Sequence, residues 1–256
     1  MNNYIDLEKK IICALNLNRK PVGVKFIYSQ EEFENTNIPQ VKYKISYCSM
    51  IQLATKGKCL KANFENSGCS GATRALGLES LDEHCDTGYR YYYLNMYNSM
   101  CVAKKTHKEA NLISQRIYGV VAQPLSEFKE DPDVVIMVTI PYSAMRLIQG
   151  YSYHYGLCNN IKFAGNQALC LECTTRPYET NDMNVSVLCS NTRFLAKWDK
   201  TEMAVGIPFN KFSTLVDGVM NTINATETDE SKKEILERAK IDNLDFSHVT
   251  FGSSYY

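Results

Sequence analysis

The segment "SGCSGATRALG" at residues 67–77 sets Cys69 among small polar residues, where an apolar helical pattern is about to start. "LCSNTRFLA" at 188–196 repeats the arrangement around Cys189. A thiol in the cap or first turn of a helix faces unpaired amide donors and the positive end of the helix dipole. Both favour its thiolate and lower its pKa from about 8.5. Low-pKa thiolates serve soft-metal ligation and redox chemistry. A Thr-Arg pair follows in both copies, so Arg74 and Arg193 are candidates to balance a thiolate-ligated cluster or to hold an anionic substrate beside it. The competing role for either arginine alone is a surface salt bridge.

The chain has ten cysteines, at positions 13, 48, 59, 69, 85, 101, 158, 170, 173 and 189. The start "MNNYIDLEKK" lacks a signal-peptide core, and the apolar runs "VVIMVTI" and "KIICALNL" fall short of the ~20 residues a bilayer needs. A cytoplasmic protein with no membrane span is expected. In a reducing compartment, packing, catalytic thiolates or metal ligands explain so many thiols better than a disulfide framework does. Lys plus Arg equals Asp plus Glu at 28 each, so no net basic charge is present to bind nucleic acid. The apolar share of 45% and charged share of 22% are those of a globular chain long enough for one large core or two intimate lobes.

The order of motifs recurs along the chain. "PVGVKFI" at 21–27 pairs with "DVVIMVTI" at 133–140, and Cys48 pairs with Cys170. "GCSGATRAL" pairs with "LCSNTRFLA", and "VVAQPLSEF" at 120–128 pairs with "AVGIPFNKF" at 204–212. Two strand-helix repeats related by a pseudo-twofold axis would bring Cys48, Cys69, Cys170 and Cys189 to their interface. Four thiolates suit tetrahedral zinc or an iron-sulfur cluster. Structural zinc favours cysteines two to four residues apart, whereas these are dispersed, which favours a [4Fe-4S] cluster with zinc as the alternative. Cys170 and Cys173 form the one close pair. Repeat register selects Cys170 as the ligand, with Cys173 as its substitute. The pair is also open to a thiol-redox role. Any one of these thiols alone is more often a packing residue.

The elements that must position these residues are legible in outline. Residues 4–17 read as an amphipathic helix, 21–29 as a strand, and 44–58 as a helix that Gly57 stops, with Cys48 near its start. Residues 118–128 read as a strand and turn, and 132–140 as a buried strand followed at once by a helix. The Tyr-rich stretch within 79–117 reads as an insertion into the first repeat and receives no role. His154 is the best lone candidate for a proton donor, with a structural role the commoner one. "TETDES" reads as a flexible linker, and Ser231 with Glu234 as the capping box of a tail helix that covers one lobe or meets another subunit.

"RKPVGVKFI", "YCSMIQLATKGK", "GCSGATRALGL", the "GVVAQPLSEF" to "PYSAMRLIQGY" run, "CLECTTRPY" and "VLCSNTRFLAKWDKTEMAVGIPF" together resemble the domain-of-unknown-function 169 family of anaerobic bacteria and archaea. The resemblance spans about residues 19–216. It implies that Cys48, Cys69, Cys170 and Cys189 are the recurring cysteines and Cys173 a local addition. Where the family often has a second Gly after its last cysteine motif, this chain has Asn191. The metal inference comes from spacing and chemistry, not from the family.

The expected architecture is α/β, with α+β as its variant. It comprises an N-terminal helix (1–19), a first repeat (20–130, insertion 79–117), a second repeat (131–216) and a helical tail (217–256). The expected function is that of an iron-sulfur protein serving electron transfer or reductive chemistry on a small molecule, with a redox partner or substrate and room for a homo-oligomer. The alternative is a non-redox binding or structural module whose cysteines bind zinc or pack as free thiols.

Overall fold

Short apolar runs pair into a sheet, and amphipathic helices cover both of its faces. The structure, a computed structural model, describes residues 4–80, 88–110 and 113–252. The first half runs through α1 (Tyr4–Leu15), β1 (Val22–Ile27), α2 (Gln30–Asn35), α3 (Tyr47–Thr55), β2 (Leu60–Asn63) and α4 (Ser70–Ala75). Two helices of the insertion, α5 (Tyr89–Tyr93) and α6 (Met100–Glu109), precede β3 (Gly119–Pro124) and β4 (Val134–Thr139). Then follow α7 (Pro141–Tyr155), a π-helix (Ala168–Thr175), α8 (Arg176–Thr180), β5 (Asn184–Ser186) and α9 (Ser190–Leu195). The chain continues with β6 (Met203–Pro208), α10 (Phe209–Thr226) and α11 (Asp229–Asp242).

The six strands form one sheet in the order β2-β3-β1-β4-β6-β5, and every pairing is antiparallel. The fold is mixed α/β, and its antiparallel sheet is the α+β variant. The order is a palindrome of the duplication: β1 answers β4, β3 answers β6 and β2 answers β5. Register repeats as well. Val22 pairs with Pro124 as Val134 pairs with Pro208, and Lys61 pairs with Val121 as Val185 pairs with Val205. At the centre, Val22 lies opposite Ile136 and Val24 opposite Val134, the reciprocal pairing that a twofold between β1 and β4 requires. The alignment of "PVGVKFI" with "DVVIMVTI" is therefore the alignment that the sheet uses.

Alternation along the strands sends side chains to two separate cores. Val24, Phe26, Val120, Ala122, Ile136, Val138 and Ala204 face α3, α4 and the π-helix, together with Cys48, Cys170 and Cys173. Ile27, Val121, Val135, Met137, Val205 and Ile207 face α1, α7, α10 and α11. On that second face α7 and α10 cross so closely that a Cβ at Gly218 would meet the Gly150 carbonyl. On the cysteine face the π-helix lies directly on β6, and a Cβ at Gly206 would meet the backbone of Cys173.

Three expectations change. "TETDES" is not a linker: α10 runs to Thr226, Glu227 is buried, and α11 begins at Asp229. The fully buried Arg146 requires a counter-charge, and Glu227 provides it at 2.7 Å, so a segment without apolar residues is still held in place. The cap of the tail helix is Thr228, whose hydroxyl accepts from the Ser231 N–H, rather than Ser231 itself. The expected boundary at 216/217 falls inside α10. Of the cysteines, Cys85 lies outside the described residues.

Because the π-helix backbone leaves no room above Gly206, Gly206→Ala should lower stability by about 1–3 kcal/mol, the usual cost of overpacking. A urea midpoint measured beside the wild type checks this, and an unchanged midpoint would mean that the π-helix does not rest on β6 as described.

Candidate functional site

Helix starts present three of the four thiols. Cys48 is in the first turn of α3, behind the N-cap Ser46, whose side chain accepts from the Ser49 N–H at 3.1 Å. Cys69 and Cys189 are themselves the N-cap residues of α4 and α9, with extended backbone and no side-chain cap bond. Each sulfur is therefore free of the hydroxyl's usual capping duty. The fourth, Cys170, sits in the π-helix, a wide i→i+5 coil that is uncommon in proteins and frequent at functional sites.

The pseudo-twofold brings these four cysteines together in pairs. Cys48 of the first repeat meets Cys189 of the second, and Cys170 of the second has Cys69 of the first as its strongest charged neighbour, followed by Cys189. These are the two symmetry-related cross-pairs. Direct clamps hold the repeats together around them: Tyr47 Oη shares a hydrogen bond with Thr174 Oγ1 at 2.9 Å, joining α3 to the π-helix. The Gln167 carboxamide donates to the Gly71 carbonyl at 2.9 Å, joining the π-helix start to α4. Cys48 and Cys170 are buried, while Cys69 and Cys189 are half-buried and open the site on one side.

Thr192 breaks the symmetry. Its hydroxyl lies 3.1 Å from Cys48 Sγ and 3.0 Å from Cys189 Sγ, bridging the two sulfurs. Its counterpart Thr73 instead donates to backbone carbonyls of Ser70 and Cys69. The first copy has one more residue between cysteine and threonine, so Thr192 stands three positions after its cysteine, on the capping side of the turn, and Thr73 stands four after.

This environment separates the acidities of the pair. Cys189 is drawn down to about 5, first by the hydrogen bond from the Cys48 thiol, against burial, and then by the Thr192 hydroxyl and the N–H groups of Ala168 and Thr192. Cys48, the donor of that bond and buried, is pushed well above the ordinary thiol value. Burial and the charges of Cys69 and Cys189 push Cys170 up. Cys189 is thus the acidic member of the set, and Cys48 and Cys170 are the members held as thiols.

Cys173 packs into the same core. It is fully buried, and burial followed by the neighbouring Glu172 charge raises its pKa. With both Cys170 and Cys173 shifted upward, the pair offers no low-pKa thiol for a redox role of its own. Glu172 accepts from Ala164 N, Gly165 N and Ser186 Oγ, so it fixes the 164–165 turn to the π-helix and to β5. Among the described residues, no group of three or more His, Cys, Asp and Glu side chains is arranged so that it could hold a metal ion.

The arginines have structural work. Arg193 donates to the carbonyls of Val187, Asp199 and Glu202 and so pins the chain around α9. Arg74 donates to the Ser70 carbonyl at 3.3 Å and lies 4.0 Å from Glu79. Neither bond is to a thiol. His154 bonds Asp217 at 2.8 Å on the helices of the opposite face from Cys48, Cys69, Cys170 and Cys189.

Sequence reasoning passed over Thr192, Tyr47, Gln167 and Tyr91. Tyr91, in the Tyr-rich insertion, lies close enough to feel the charges of Cys170 and Cys69, and burial raises its own pKa. Only Thr192 carried a usable signal, a hydroxyl three positions after a cap cysteine.

A family model for DUF169, described as an uncharacterised ArCR family, matches residues 10–218. The chain is 28% identical over 221 residues to "Uncharacterized protein MJ0308" of Methanocaldococcus jannaschii, a match covering 86% of this chain and 94% of that protein. No solved structure matches.

In metal-free, reduced protein, Cys189 should alkylate with iodoacetamide along a titration centred near pH 5, and Thr192→Val should move that midpoint upward. Stability follows with a definite sign. A thiol at 9.0 unfolded and about 5 folded makes the unfolded chain bind more protons between those values, so stability rises with pH across the window and the contribution is gone below pH 5. Urea midpoints at pH 5.5 and 8 should differ less in Cys189→Ser than in wild type. A Cys189 that stays unreactive until pH 8 would contradict the pairing.

Proposed function

The chain belongs to the DUF169 family, and on that premise we propose that it is an iron-sulfur protein whose centre is held by Cys48, Cys69, Cys170 and Cys189 and serves electron transfer or reductive chemistry on a small molecule. The observation behind this reading is the pairing of four cysteines across the two repeats, Cys48 with Cys189 and Cys170 with Cys69. Packing alone does not require cysteine at four equivalent positions, nor a thiolate at one of them. A cluster with thiolate ligands supplies one-electron transfer.

Ligand spacing separates the two metals considered. Zinc at about 2.3 Å from each sulfur needs four thiolates packed around one point. A cubane instead spreads its thiolates over its own corners, which suits four cysteines that come singly along the chain rather than in close pairs. Four cysteine ligands would leave no iron open, which narrows the role to electron transfer. With one position unligated, a substrate would have access to the centre. The half-buried Cys69 and Cys189 give that centre a side near the surface, as exchange with a redox partner requires.

One observation favours a second reading. A thiolate at about 5 hydrogen-bonded to a second thiol is the arrangement of a thiol-disulfide centre, with Cys189 as nucleophile and Cys48 as its resolving partner.

Protein purified without oxygen should be brown with broad absorbance near 400 nm. The colour should survive Cys173→Ser and be lost in Cys170→Ser. Colourless protein with one zinc per chain would refute the cluster. Colourless metal-free protein that forms a Cys48–Cys189 disulfide on mild oxidation would select the second reading.

A further inference from the structure

A cavity of about 670 Å³ opens between α6, the 161–167 segment and the π-helix, within the size range of small-molecule sites. Its walls are mostly apolar. Tyr91, Tyr97 and Phe163 contribute rings, with Leu171 beneath them, and Lys105, Lys162 and Arg176 contribute cationic groups. The rings of Tyr91 and Tyr97 meet edge to face, 6.5 Å apart at an interplanar angle of 82°, leaving an aromatic wall. Phe163 is 52% exposed, an apolar ring left in solvent at the cavity's rim.

The charge of the lining is lopsided. Of its two carboxylates, Glu109 lies 3.4 Å from Lys162, and Glu172 is already bonded to Ala164, Gly165 and Ser186, with burial raising its pKa. Positive charge therefore exceeds negative charge around an aromatic chamber. Tyr91 lines this cavity and also stands beside Cys170 and Cys69, so the chamber and the thiols share a wall.

We propose that this cavity binds a small organic anion with an aromatic body, its ring against Tyr91 and Tyr97 and its acidic group toward Lys105 and Lys162. As a binding site it stands on its own lining. That such a molecule is what the centre reduces rests on the function proposed above.

The test uses 8-anilinonaphthalene-1-sulfonate, an aromatic sulfonate, titrated by calorimetry into the full chain kept anaerobic. One saturable site is expected. Lys105→Glu with Lys162→Glu, both exposed positions that leave the core intact, should weaken it by about tenfold or more. Val102→Trp, at a partly exposed lining position, should narrow the chamber and weaken binding. The uncharged analogue N-phenyl-1-naphthylamine should bind at least tenfold more weakly. Equal binding of the uncharged analogue, unsaturable binding, or indifference to both variants would overturn the proposal. The readout requires no iron: protein that binds the sulfonate here but lacks a cluster refutes the proposed function and keeps the site. Cluster-bearing protein indifferent to the variants does the reverse.

Discussion

The antiparallel contact of β1 with β4 is the constraint from which the rest of the arrangement follows. Each repeat alone is a three-stranded sheet with one open central edge, and an open edge is a row of unpaired backbone groups. Joining the two edges in reciprocal register satisfies those groups and sets a pseudo-twofold axis between Gly23 and Val135. Side-chain alternation then does the sorting. Since both repeats present equivalent residues on equivalent faces, the cysteine-bearing helices of both must land on the same side of the sheet.

Once there, the helices are held by a few specific contacts. Gly206 lets the π-helix approach β6, and the Tyr47–Thr174 and Gln167–Gly71 bonds link each repeat's cysteine elements to the other's. Symmetry places the thiols in pairs, and a single residue of difference between the repeats makes the pairs unequal. Thr192 reaches two sulfurs while Thr73 turns to backbone, and Cys189 becomes the acidic member. Exact symmetry would have given two equivalent thiols. The departure from it gives a site with one thiolate and one open side.

How much of this was legible in the sequence depended on whether the information was local or periodic. The strands at 22–27 and 134–139, the start of α3 before Cys48 and the caps at Cys69 and Cys189 followed from residue type and spacing. So did the repeat alignment, because each repeat carries its own copy of the same order. The π-helix did not, since its backbone is imposed by packing on β6 rather than by propensity. Arg193 was legible as a repeated residue but not as a structural one, because its carbonyl partners lie on a loop whose path only the folded chain defines. "TETDES" misled for a related reason: Glu227 within it is buried against the charge of Arg146, 81 residues away, and not by any apolar residue of the segment.

The most direct measurement of the central claim is X-ray absorption at the iron edge of protein isolated without oxygen. The proposed four-thiolate cluster predicts an iron environment of sulfur alone, with an iron-iron scattering shell beyond it. Iron ringed by nitrogen and oxygen with no iron-iron shell, or no iron bound at all, would contradict it.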